Sequence, residues 1–262
     1  MNLYDGPQRE LGNGDRTGVK RLYEDPSFSD TIGIYNPQMA LFYLNYFNQP
    51  GIADYSVNFG PSGMVPIIGD WDGDGKDTIG IYNPQNANFY LNYFNQPGIA
   101  DYSVNFGPSG MVPIIGDWDG DGKDTIGIYN PQNANFYLNY FNQPGIADYS
   151  VNFGPSGMVP LIGDWDGDGK DTIGIYHPQT ATFYLNYFNQ PGVADYSVNF
   201  GPSGMVPLIG DWDGDEKDTI GIYHPQTAMF YLNYFNQPGV ADYSVNFGPS
   251  GMVPIIGDWD GD

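Results

Sequence analysis

Carboxylates at alternate positions of a short glycine-rich segment are the residues in this chain whose type and spacing could do chemistry. In GDWDGDGKDTIGIY, residues 69 to 82, Asp70, Asp72 and Asp74 take positions 1, 3 and 5 of a tight loop. Gly75 at position 6 permits a sharp turn, and the backbone carbonyl of Lys76 at position 7 can join the same shell. Hard cations such as Ca²⁺ gather six to eight oxygens at about 2.3–2.6 Å, and this spacing presents oxygens convergently. The plain alternative is an Asp/Gly turn without an ion. Three carboxylates within five residues would then repel one another, which favours the metal reading.

The pattern returns in register. Asp117, Asp119, Asp121, Lys123 and Asp124 repeat it, as do Asp164, Asp166, Asp168, Lys170 and Asp171. In the fourth copy Asp211, Asp213, Asp215, Lys217 and Asp218 keep the charges, but Glu216 replaces the position-6 glycine. If that position needs a left-handed backbone, a side chain there costs about 1 kcal/mol, so a weaker or distorted site is expected. The fifth copy is split: Asp258, Asp260 and Asp262 end the sequence, and Asp30 opens the first DTIGIY.

The elements that must hold these loops follow from the repeat. DTIGIY starts at Asp30, Asp77, Asp124, Asp171 and Asp218, a spacing of 47 residues. Each unit offers four short β-rich runs, represented by MVPIIG, TIGIY, NFYLNYF and DYSVNF, punctuated by NPQN, NQPG and GPSG, with no helical periodicity. Pro113 and its equivalents sit at a strand start, where a missing N–H does least harm. Four antiparallel strands in 40 to 50 residues is the signature of a propeller blade, so the expected architecture is an all-β, five-bladed propeller over 30–262. The split motif is then explained by ring closure, with the C-terminal strand completing the blade begun near the N-terminus. An open stack of repeats, or a filament in which a neighbouring molecule completes the blade, is the alternative.

At this point the residues resemble a known family. GDWDGDGKDTIGIY is similar to the repeat of integrin-like FG-GAP and VCBS proteins, and the similarity covers residues 30 to 262. The resemblance implies blades carrying a D-x-D-x-D-G calcium loop between two strands. In that family position 9 usually supplies another Asp ligand; here it is Thr78, with Asp77 at position 8. Asp77 then either reaches the metal through a water or faces away and bonds the turn.

Composition limits the partners. Net charge is −23, which repels nucleic-acid backbones and anionic membrane surfaces and makes cations the natural partners. No cysteine is present, so disulfides and thiolate metal sites are excluded. No apolar stretch is long enough for membrane insertion, and MNLYDGPQREL lacks the apolar core of a secretory signal. The leader, residues 1–29, carries Arg9, Arg16, Lys20 and Arg21, half of the chain's basic residues, and reads as a docking strand or a frayed terminus.

The remaining candidates have bland readings beside the functional ones. Trp71, Trp118, Trp165, Trp212 and Trp259 could stack on sugar, but packing over the neighbouring blade is the preferred reading. His177 and His224 replace Asn before a proline and read as turn residues. Asn92, Tyr93, Asn95 and Gln96 form a polar-aromatic strip that could serve a glycan or an ordinary turn. Catalysis is not expected, because near-identical blades give near-identical environments and acid–base pairs need different ones. The sequence thus points to a non-catalytic, calcium-binding scaffold for extracellular or cell-surface adhesion, with a glycan or other surface ligand as partner. Self-association into fibres through complementary chain ends is the alternative.

Overall fold

The computed structural model describes residues 30–261. Among these, twenty strands form five four-stranded antiparallel sheets. In chain order they are β1 to β3 (Thr31–Asn36, Leu41–Leu44, Tyr55–Asn58) and β4 to β7 (Val65–Gly69, Thr78–Asn83, Asn88–Leu91, Tyr102–Asn105). Then come β8 to β11 (Val112–Gly116, Thr125–Asn130, Asn135–Leu138, Tyr149–Asn152) and β12 to β15 (Val159–Gly163, Thr172–His177, Thr182–Leu185, Tyr196–Asn199). The last are β16 to β19 (Val206–Gly210, Thr219–His224, Met229–Leu232, Tyr243–Asn246) and β20 (Val253–Gly257). The expected five-bladed propeller is the fold observed.

Position in the blade follows the side chains. The strands β4, β8, β12, β16 and β20 neighbour one another in a closed circuit and so line the axis. Their prolines lose no ladder bond, since an innermost strand has one free edge. The next strand out, TIGIY, is buried along its first five residues because blades cover both of its faces. NFYL alternates between buried and partly exposed, and YSVN on the rim keeps only its valine inside.

Ring closure is made within one chain. β20 pairs with β1, matching Gly257 to Thr31 and Val253 to Tyr35. Within the continuous second blade, Gly69 matches Thr78 and Val65 matches Tyr82, the same register. The blade is therefore completed by the chain's own β20 in this structure, not by a second molecule.

Five equivalent cores lie between blades rather than within them. One contains Ile67, Trp71, Tyr82, Phe89 and Val104 from one blade with Ile126 and Ile128 from the next. At the closing seam Trp212, Tyr223 and Phe230 meet Ile32 and Ile34 in the same way. The tryptophans are buried in these cores, so they pack over the neighbouring blade and offer no stacking platform to a sugar.

Candidate metal centre and its seam

Each acidic loop joins the innermost strand to the next one out. Its first carboxylate organises the turn: Asp70 accepts backbone N–H groups from Gly73 at 2.7 Å, Asp74 at 3.2 Å and Gly75 at 2.8 Å. The Lys76 N–H closes the loop on Asp74 at 3.0 Å. Gly73 and Gly75 sit at φ 78° and 83°, which explains the glycines at those two places. Glu216 adopts φ 68° at the equivalent of Gly75 and keeps the hydrogen bond to the first Asp at 2.9 Å. The fourth loop therefore holds its shape with a side chain in left-handed backbone, without the expected distortion.

Four triplets converge. Asp70 with Asp72 and Asp74, Asp117 with Asp119 and Asp121, Asp164 with Asp166 and Asp168, and Asp211 with Asp213 and Asp215 each bring three carboxylate oxygens within 4.8 Å of one another. Two oxygens bound to one Ca²⁺ from opposite sides stand about 5 Å apart, so each triplet fits a single hard cation. Partial withdrawal from water raises the pKa of Asp72, Asp119 and Asp166, and the neighbouring carboxylates add to it. In the fifth loop Asp258 accepts the Gly261 N–H at 2.8 Å, repeating the anchor, while Asp262 lies outside the described residues.

The position-8 aspartates do something the sequence did not reveal. Asp124 accepts the backbone N–H of Asp70 on its Oδ2 at 2.8 Å, and its own N–H donates to the Asp70 carbonyl at 2.8 Å. Asp171 grips Asp117, and Asp218 grips Asp164, by the same two bonds. Asp30 holds Asp211 and Asp77 holds Asp258, so the ring carries five such latches. These residues stand apart from the triplets and tie each loop to the following blade. Of the two options open for Asp77, it faces away from the loop of its own blade, but its bonds go to a neighbouring blade's loop.

The latch carboxylates are expensive to ionise. Asp30 and Asp124 are pushed up to about 7, mainly by burial, with neighbouring aspartates adding to it. Asp77, Asp171 and Asp218 are also raised well above the ordinary carboxylate range, by burial first and then by other members of the ring. The residues as a whole keep some accessible surface, but their carboxylates are wedged against the preceding blade. A Cβ added to Gly69 would stand 2.8 Å from Asp124 Oδ2.

The lysines cross the same seam. Lys76 Nζ donates to the Asp260 carbonyl at 2.6 Å. The stem of Lys123 lies over Gly73, that of Lys170 over Gly120 and that of Lys217 over Gly167. Each ammonium-bearing chain therefore covers the acidic loop of the preceding blade, and Lys123 lowers the pKa of Asp72 slightly against the larger raising causes.

The polar-aromatic strip is mostly consumed by its own loop. Asn92 is buried, donates to the Gln96 carbonyl and accepts N–H groups from Phe94 and Gln96. Asn95 bonds the Ile79 N–H and the Asp77 carbonyl. Asp101 accepts the Tyr93 N–H at 2.9 Å. His177 and His224 end strands at a turn, as expected. Clefts of about 270–310 Å³ open between blades, one lined by Phe59, Met64, Ile81, Asn83 and Tyr90, and another by Phe153, Met158, Ile175, His177 and Tyr184. Ligand sites run from about 300 to 1,000 Å³, so each cleft accommodates one small group and not an extended ligand.

No family model matches the chain, and no curated protein matches it. Among solved structures it is similar to an Agrocybe aegerita lectin described as recognising non-reducing terminal N-acetylglucosamine, at 16% identity and TM-score 0.40, covering 83% of this chain and 75% of that one. It is similar to the V. cholerae biofilm matrix protein Bap1 at 19% identity and TM-score 0.35, over 87% of this chain and 38% of that one. A third likeness is to BBS1N, solved in complex with ARL6DN, at 8% identity and TM-score 0.38, over 84% and 62%. The chain thus spans 62% of that BBS1N chain and 38% of Bap1, and likenesses at these identities and scores transfer no ligand, metal or partner to it.

Proposed function

We propose that this chain is a non-catalytic, calcium-binding propeller of the FG-GAP/VCBS kind, working outside the cell as a scaffold that displays near-identical weak sites around a ring. One observation carries the reading: four acidic triplets gather in register on a closed circuit of blades, each able to surround a single hard cation. Asp70, Asp72 and Asp74 and their copies would hold the ion. When bound, Ca²⁺ supplies positive charge that relieves repulsion among the carboxylates. The chain's own part is to fix the first carboxylate by loop N–H bonds and to clamp its backbone to the next blade.

Repetition supports the binding role. Identical weak sites gain little singly and much together, when a ligand also presents its group many times. Carbohydrate is the ligand class that fits, since saccharide polymers repeat their own groups as the blades do. Pairing of β20 with β1 inside one chain supports the ring reading ahead of the fibre one.

Calcium titration with thermal melts tests this. Binding to folded loops alone adds about 2.7 kcal/mol per site at a hundredfold excess over the dissociation constant. Chelation should therefore lower Tm, and replacing Asp117, Asp119 and Asp121 together by Asn should remove one site's share. Identical melts with calcium and with chelator would remove the metal from the proposal.

A further inference from the structure

The loops that follow NFYL, represented by NYFNQPGIAD at 92–101, carry an apolar display that neither the cores nor the acidic loops use. Phe47, Phe94, Phe141, Phe188 and Phe235 are between 52% and 64% exposed. An aliphatic residue five positions on, such as Ile52 or Ile99, is more than 90% exposed in every blade. Single exposed apolar side chains are ordinary, but ten in fivefold register form a pattern.

These loops are held rigidly. Asn92, Asn95 and Asp101 bond the backbone from inside, and Asn95 ties it to the next strand in. Tyr55 also reaches across the blade boundary to the Asn95 carbonyl at 3.0 Å. The exposed rings are therefore pre-organised, so little ordering is required when something covers them. Each phenylalanine packs edge-on against its neighbouring tyrosine, as Phe94 does against Tyr93 at 6.4 Å between centroids. The exposed Asp101 accepts the Tyr93 N–H at 2.9 Å, so a carboxylate outside the metal triplet borders each aromatic pair.

Charge selects among occupants. The chain carries −23, and the four lysines of the blades are drawn over neighbouring loops. A second copy of the chain, an anionic lipid surface or a nucleic acid would meet like charge across this display. Calcium in every loop would reduce the net negative charge without reversing it. What fits is a partner with positive charge and apolar faces. The five loops are near-identical in sequence, so avidity accrues only to a partner that repeats its own group. A basic peptide of irregular sequence lacks that property; a polymer of amino sugars has it, with C–H faces for the phenylalanines and an ammonium on each unit for the carboxylates.

We propose that the ring of exposed phenylalanines and aliphatic residues is the docking surface for a cationic amino-sugar polymer, a polysaccharide whose amines are at least partly free of acetyl groups. This deepens the scaffold reading by naming the ligand class, and it places that ligand on the loops rather than in the inter-blade clefts.

The test uses the whole chain with calcium present. Immobilised poly-β-1,4-glucosamine is compared with the fully acetylated polymer of equal length, with a neutral glucan and with polylysine. The glucosamine polymer should bind most tightly, and should be released by salt and by raising pH until its amines lose their protons. Replacing all five phenylalanines by serine should weaken binding roughly tenfold or more through lost avidity, with circular dichroism and Tm unchanged. If that variant does not fold, the pair F94S and F188S should still weaken binding, and more than either substitution alone. Equal binding to polylysine, or binding that both Phe variants leave intact, would overturn the docking surface. Binding of the acetylated or neutral polymer alone, insensitive to the Phe variants, would also overturn it while leaving the scaffold reading standing. Absence of binding to every polysaccharide would remove the carbohydrate reading as well.

Discussion

Position 6 of the acidic loop shows how one residue sets a local cost. Gly75, Gly122 and Gly169 take φ between 79° and 83°, and Glu216 is forced to 68° in the same turn. A residue with a Cβ loses about 1 kcal/mol there relative to glycine, and the glutamate also adds charge beside three carboxylates. Glu216→Gly should therefore raise stability by about 1 kcal/mol in urea unfolding, and should tighten calcium binding at the fourth loop toward that of the other three. An unchanged midpoint and unchanged affinity would mean that the loop does not hold this backbone in solution. The tryptophan at position 2 belongs to the same scale. Its burial against the next blade shows that the loop is anchored by an apolar group as well as by its hydrogen bonds.

Blades meet through the latch aspartate and the glycine that admits it. On Gly116 a Cβ would stand 2.8 Å from Asp171 Oδ2, 2.8 Å from Ile162 Cγ2 and 2.9 Å from Asp171 Cβ, the last close to a backbone that cannot easily retreat. Gly116→Ala should thus destabilise by about 1–3 kcal/mol, the usual range for overpacking, and the loss should appear in chemical denaturation whether or not calcium is bound. A neutral result would argue that the latch is loose. At this scale the sequence was only partly readable. The order of strands, the closing seam and the acidic triplets are written in local runs such as MVPIIG and DWDGD. The partner of Asp124 is 54 residues away and that of Asp77 is 181 away, so their job is visible only once blades are packed. The same holds for Lys76 and Lys123, whose side chains cross the seam. Asn92 and Asn95 have the composition of a sugar site, but their amides are spent inside the loop because no strand ladder satisfies that backbone.

Around the whole ring the latches place five raised carboxylates in one electrostatic system, and closure decides whether that system exists. Their folded pKa values lie above the ordinary value of 3.8, reaching about 7 for Asp30 and Asp124. The folded chain therefore binds protons more tightly than the unfolded one, so this contribution is complete below about pH 4 and is lost as pH rises through about 7. The metal-free chain should melt higher at pH 5 than at pH 8; a flat profile would show that the latches stay ionised at little cost. The ring itself depends on β20. Deleting residues 251–262 removes the inner partner of β1, together with Ile255 and Trp259 from one core and Ile256 from the edge of another. Losing a large buried side chain costs about 2–5 kcal/mol, and a domain has only about 5–15 kcal/mol in total. The truncated chain should lose its cooperative melt, and its uncovered strand edge should drive it into larger species on size exclusion. A peptide spanning 251–262, added in trans, should restore both the melt and the original elution volume by refilling the vacant edge. A truncated chain that elutes and melts like the full one would mean that four complete blades can close without the fifth's inner strand, and the latch between Asp77 and Asp258 would then contribute nothing to holding the ring.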